Sequence, residues 1–119
     1  MIFDEAVKKA VEETKGGLAA LIMARDGISL SQYVRPEASL DLEILGIEYA
    51  SLLEEVKKHA AAMNAGEIKE ITLATDRLLT VVRWLNSEYF MALIMERDGN
   101  AGKGRFLLRV SAPSILKEL

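Results

Sequence analysis

The chain has 119 residues, half of them hydrophobic and 28% charged, with a net charge of −3 and no cysteine. One domain over residues 1–119, with ample apolar material for a core, is the expectation. The missing thiols exclude disulfides and thiolate metal sites, and the acidic balance argues against a general nucleic-acid binder, which shows a basic face.

The opening "MIFDEAVKKAVEETK" reads as an amphipathic helix over residues 2–15. Ile2, Phe3, Ala6, Val7, Ala10 and Val11 recur at spacings of three and four. Acids sit early and Lys15 late, as the helix dipole favours, and Gly16-Gly17 ends the run. This is unlike a signal peptide. The longest apolar run, Leu18 to Ala24, is too short to span a bilayer as a helix, so a soluble cytoplasmic protein is expected.

"LAALIMAR" is apolar without alternation, as in a strand buried on both faces. Asp26-Gly27 signals a hairpin into "ISLSQYV", where Ile28, Leu30, Gln32 and Val34 alternate with Ser29, Ser31 and Tyr33. Pro36 breaks the chain. Ser39 is a plausible N-cap, with Asp41 and Glu43 in the first turn of a long helix from about residue 40 to 64. "EIKEITLAT", "LLTVVRWL" and "EYFMALIME" come next as three strands with short connections, an antiparallel meander. In the tail, residues 102–111 suit a helix or a strand equally. Pro113 would break or kink a helix, and Ser111 would cap a second helical piece.

The order is α-β-β-α-β-β-β-α. Strands apolar on both faces require helices on both sides of one antiparallel sheet, a three-layer α/β/α sandwich. "ALIMARDG" at 20–27 returns as "ALIMERDG" at 92–99. The residues after the two copies differ, "ISLSQYV" against "NAGKGRF", so these read as two central strands with the same burial rather than a duplicated module. Each leaves the core through an arginine and turns on Asp-Gly, which tolerates positive φ.

No catalytic set is legible. "GNAGKGR" fails the phosphate-loop pattern in glycine spacing and in the hydroxyl after the lysine. His59 is the single histidine and lies among lysines, which points to a solvated side chain. The long helix says more. Leu42, Leu45, Tyr49, Leu52, Leu53, Val56, Ala60 and Met63 form a broad stripe toward the sheet. Ile44, Ile47, Ser51 and Ala62 lie roughly opposite, beside Glu48, Glu54, Glu55 and Lys58. Two isoleucines a turn apart on an outer face suggest a contact surface; scattered exposed apolar residues are the plainer alternative.

The whole pattern resembles the Roadblock (dynein light-chain-like) domain family, in particular its prokaryotic regulators of Ras-like small GTPases in gliding and polarity. Two parts carry the resemblance. One is the apolar strand ending in Arg25-Asp26-Gly27, with a second strand after it. The other is Asn100, Gly102 and Arg105 in "N-x-G-x-x-R". The resemblance implies a profilin-like five-stranded antiparallel sheet in order 2-1-5-4-3, with the long helix on one face and the other two on the opposite face. It implies no catalysis, cofactor or nucleotide of the chain's own. It implies a homodimer, or a pair with a paralogue, joined through the third strand and the long helix, on which a GTPase docks and has its GTP hydrolysis modulated. The interface would comprise Ile44, Ile47, Ser51, Lys58 and Ala62, with Ile71 and Leu73 on an edge strand. Arg25, Asp26, Gly27, Asn100 and Gly102 would be structural. Arg105 would either reach a partner's phosphate or pair with a carboxylate near the start of the last helix. Pro113 departs from the family's last helix. A second reading is a small-molecule sensor with a pocket lined by Tyr33, Trp84, Tyr89 and Phe90.

Overall fold

The computed structural model describes residues 2–119. Its elements are α1 (Ile2–Glu12), β1 (Gly17–Ala24), β2 (Ser29–Val34), α2 (Leu42–Ala62), β3 (Glu70–Ala74), β4 (Leu78–Trp84), β5 (Tyr89–Glu96) and α3 (Ala101–Leu116). The five strands form one sheet in the order β2-β1-β5-β4-β3, antiparallel throughout. Fold class and strand order are those the sequence led us to expect.

The two similar segments are the sheet's centre. Ala20 faces Leu93 and Leu21 faces Ala92, so the Ala-Leu pairs of the two copies meet about a local two-fold. Alternation then divides the core. Ala20, Ile22, Met91, Leu93 and Met95 pack beneath Val7, Val11, Leu108 and Ile115 of α1 and α3. Leu21, Met23, Phe90, Ala92 and Ile94 pack beneath Leu42, Ala50 and Leu53 of α2.

The two copies turn for different reasons. Gly27 closes the β1–β2 hairpin at φ +94°, which favours glycine. Gly99, where positive φ was expected, does not use it. Glycine is needed there for approach: a Cβ would lie 3.0 Å from the Lys15 and Glu96 carbonyl oxygens. Gly16 (φ +83°) presses on the same spot, its own Cβ position 2.8 Å from Gly99 Cα. The end of α1 and the start of α3 are knotted together at this corner.

Three expectations are corrected. In β2, Ile22 faces Ser31 but Met23 faces Ser29, so Leu30 is the extra residue of a bulge. The bulge flips the pattern: Ser31 is buried and bonded to Asp4, while Ile28 and Leu30 are exposed. In α2, the buried seam runs through Leu42, Gly46, Ala50, Leu53 and Ala60, while Leu52 and Met63 are exposed. Small residues let the helix come close, and a Cβ on Gly46 would meet Met23 Cε at 2.3 Å. The N-cap is Asp41, not Ser39; its carboxylate accepts from the Glu43 and Ile44 N–H groups at 3.1 and 3.2 Å.

The tail is one helix. Pro113 lies inside α3 without ending it. Proline lacks an N–H for the carbonyl four residues back, that of Arg109, and both residues lie on the exposed side, where water can serve. Ser111 caps nothing; its hydroxyl donates to the Leu107 carbonyl.

Tyr49 ties α2 to β4, its hydroxyl 2.8 Å from that of buried Thr80. Burial raises the Tyr49 phenol above its ordinary value, against the smaller opposing effect of the Thr80 bond. The folded state therefore holds the proton more tightly than the unfolded chain. That contribution to stability is complete below the unfolded phenol pKa of ~10 and is lost as pH rises through the folded value. Denaturant titrations across this range should show Tyr49→Phe losing stability less steeply with alkali than the parent. At neutral pH the same variant should be weaker by about 1–2 kcal/mol, because Thr80 is left buried without its partner.

Candidate interaction surface

The outer face of α2 begins at its N-cap. From Asp41 the helix presents Ile44, Ile47, Ser51, Lys58 and Ala62 along one stripe, with Ile44 at 60% and Ile47 at 52% exposure. The hairpin end adds a residue that sequence reasoning missed. Ile28, 64% exposed, comes after Gly27, whose Cβ position lies 3.7 Å from the Ile47 side chain. Ile28 lies in the turn just before β2. Three isoleucines from two elements thus edge one surface.

Arg25 fixes the hairpin to the helix. Its Nε and Nη2 each donate to the Glu54 carboxylate at 3.0 Å, and Nη1 lies 3.8 Å from Glu88. The Asp26 carboxylate accepts from the Ile28 N–H at 3.2 Å, which shapes the turn. Arg25, Asp26 and Gly27 therefore orient the patch.

β3 is an edge strand, shorter than the sequence suggested, with one side of its backbone unpaired. Ile71 and Leu73 are half-buried and share the α2 face, opposite Val82 and Thr80. They brace the edge rather than project from it, so the strand offers a partner mainly its backbone.

The motif around α3 is structural in a different way from that expected. Asn100 caps the helix, its side-chain oxygen accepting from the Lys103 N–H at 3.0 Å. Gly102 is open, with its Cβ position at an ordinary 3.6 Å from Asn100. Gly104 is the more crowded glycine: a Cβ there would lie 2.9 Å from the terminal methyl groups of buried Leu93 and Met95, which would have to shift. Arg105 pairs with Glu70 on β3, not with a carboxylate near the start of α3; its Nε donates at 2.9 Å. The Glu70 hydrogen bond and charge raise the Arg105 pKa. Glu70 also lies 3.9 Å from Arg83, whose Nε is buried without a partner.

The four aromatics of the sensor reading do not share a pocket. Tyr33 and Tyr89 pack on the α1/α3 side, whereas Trp84 and Phe90 pack on the α2 side, in edge-to-face contact at 5.8 Å. Among the described residues, no group of three or more His, Cys, Asp and Glu is placed to hold a metal, and no helix is long and apolar enough to cross a membrane. His59 is exposed.

A five-stranded sheet in this order, with an exposed helix face and an open edge, defines an interaction module, and known proteins give it a family. MglC from Myxococcus xanthus is 37% identical over the whole of both chains, with a TM-score of 0.72. The gliding protein MglB from Thermus thermophilus superposes with a TM-score of 0.86 at 16% identity, over 98% of this chain and 87% of that one. A Roadblock/LC7 domain from Streptomyces avermitilis gives 0.82 at 15% identity, over 94% and 92%. No protein-family model and no curated protein matches the sequence. The chain belongs to the Roadblock family, the group that includes MglC-type and MglB-type proteins.

Two outcomes check the motif assignments. Gly102→Ala should raise stability by about 0.5 kcal/mol through helix propensity, while Gly104→Ala should lower it by about 1–3 kcal/mol through overpacking. A double-mutant cycle between Glu70→Ala and Arg105→Ala should give only a small coupling, because the Arg105 guanidinium is half exposed and screened. Glu70→Ala alone should cost more than Arg105→Ala, since it also strips Arg83.

Proposed function

We propose that the chain is a non-catalytic regulatory or scaffold subunit of the cytoplasm that dimerises and binds a Ras-like small GTPase, modulating its GTP hydrolysis without a cofactor of its own. The observation that carries this reading is the exposure of Ile44 and Ile47 on the outer face of α2, with Ile28 exposed in the β1–β2 turn, in a member of the Roadblock family. Exposed apolar residues gathered from two elements suit a protein partner. The likeness to MglC and to the gliding protein MglB favours a motility or polarity setting.

In this reading the two-fold seam joins β3 to its counterpart and includes Ile71, Leu73 and the far end of α2, with Lys58 and Ala62. The platform for the GTPase is Ile44, Ile47 and Ser51. Arg105 stays out of the chemistry because its guanidinium is held by Glu70. The GTPase supplies its own catalytic groups, and the chain positions them.

The test is Ile44→Glu with Ile47→Glu. Exposed positions tolerate such changes within ~0.5 kcal/mol of fold stability, so circular dichroism should show a folded chain. A carboxylate forced into a dry interface costs several kcal/mol. Pull-down of a Ras-like GTPase from the same genome should therefore fail or weaken at least tenfold. Light scattering of the parent in 0.5 M salt should give about twice 13.1 kDa. A double variant that binds the GTPase as the parent does would remove α2 from the interface, and a parent that stays monomeric would remove the seam.

A further inference from the structure

The second exposed apolar face belongs to α3. Phe106 is 46% and Val110 50% exposed, one turn apart. At ~100° per residue, Lys103 and Arg109 project on either side of them. Both cations lie 5.8 Å from the Phe106 ring centroid, and neither forms an ion pair among the described residues. α3 contains no acid. Beside this face, α1 and α3 enclose a mainly apolar groove of about 270 Å³, lined by Ala6, Leu107, Val110 and Ile115, with Glu5 and Lys9 of α1 also on its wall.

The outer face of α2 has the same plan in opposite charge. Ile44 and Ile47 are bracketed by Glu43 on one side and Glu48 on the other, both exposed and both without an ion pair among the described residues. Along the helix axes the two acids are ~7.5 Å apart and the two bases ~9 Å apart. The faces cannot meet within one molecule, because α2 and α3 cover opposite sides of the sheet.

We propose that the outer face of α3 docks head to tail on the outer face of α2 of a second copy of this chain, with Ile44 and Ile47 seated at the α1/α3 groove. Lys103 and Arg109 then meet Glu43 and Glu48. Such a contact is heterologous, so it propagates as an open string or closes into a ring, unlike a two-fold seam. It rests on the function proposed above for the exposure of α2 and for the two-fold dimer that sets the baseline mass. A partner bound there and the next copy exclude each other, so self-assembly would hold the platform until a partner claims it.

Light scattering and sedimentation of the full chain, over micromolar to millimolar concentration, test this. In low salt the parent mass should keep rising past that of a dimer, and 0.5 M salt should suppress the rise by screening. Lys103→Glu with Arg109→Glu should abolish growth beyond the dimer, and so should Glu43→Lys with Glu48→Lys in a separate chain. An equimolar mixture of the two charge-reversed chains should assemble again, because each then offers what the other lacks. A parent that never exceeds a dimer in low salt, a reversed chain that grows as the parent does, or a mixture that stays small would each overturn the proposal. Should a reversed chain fail to fold, Phe106→Ser with Val110→Ser makes the same test of α3. Loss of GTPase binding leaves these masses unchanged, so failure of that reading is seen separately.

Discussion

The rest of the structure depends on the pairing of β1 with β5. Each strand is apolar on both faces, and together they supply most of the fully buried side chains of the sheet. Neither can face water on either side, so both faces must be roofed. α1 and α3 roof one face and α2 the other. The corner at Gly16, Gly17 and Gly99 adds a geometric condition. The Glu96 N–H donates to the Gly16 carbonyl at 2.8 Å, and the Asn100 N–H to that of Lys15 at 2.9 Å. One end of the central pair thus sets where α1 stops and α3 begins.

The surface features are consequences of this frame. α2 is drawn close by Gly46 and Ala50, which need little room, and this rotation leaves Ile44 and Ile47 outside. β2 and β3 are the edges, and each is secured by a side chain from the helix layer on the α1/α3 side. Ser31 is bonded to Asp4 of α1, and Glu70 is held by Arg105 of α3. On the opposite face the ties run to α2 instead, Arg25 to Glu54 and Tyr49 to Thr80.

Layering was legible because strands apolar on both faces require helices on both sides of the sheet, whereas strand order came from the family resemblance and not from the pattern. The finer details depended on contacts that a pattern does not carry. Pro113 is a helix breaker by propensity, yet it sits where its missing N–H falls on the solvent side. Leu30 belongs to an alternating run, but a single bulge inverts it. Gly102 and Gly104 are equivalent letters in "GKG", and only the nearness of Leu93 and Met95 separates them. Glu70 is 35 residues from Arg105, too far for local spacing to suggest the pair. Ile28 belongs to the same alternating run, and alternation alone does not say which of its sides meets solvent.

The likeness of β1 to β5 also bears on how the fold is reached. Ala20 meets Leu93 and Leu21 meets Ala92, partners far apart in sequence, so the central ladder forms only after a long loop has closed. A neighbouring nascent chain offers the same Ala-Leu-Ile-Met letters with no loop to close. Its first strand can stand in for the fifth only in part: Ala20 and Leu21 would again find a leucine and an alanine, but Ile22 would face Ala19 of the neighbour in place of Met91, and Met23 its Leu18 in place of Phe90. The ladder thus accepts a foreign strand over its Ala-Leu pairs and fits it poorly at Met91 and Phe90, so side-chain matching, as well as dilution, favours closure within one chain over exchange between chains.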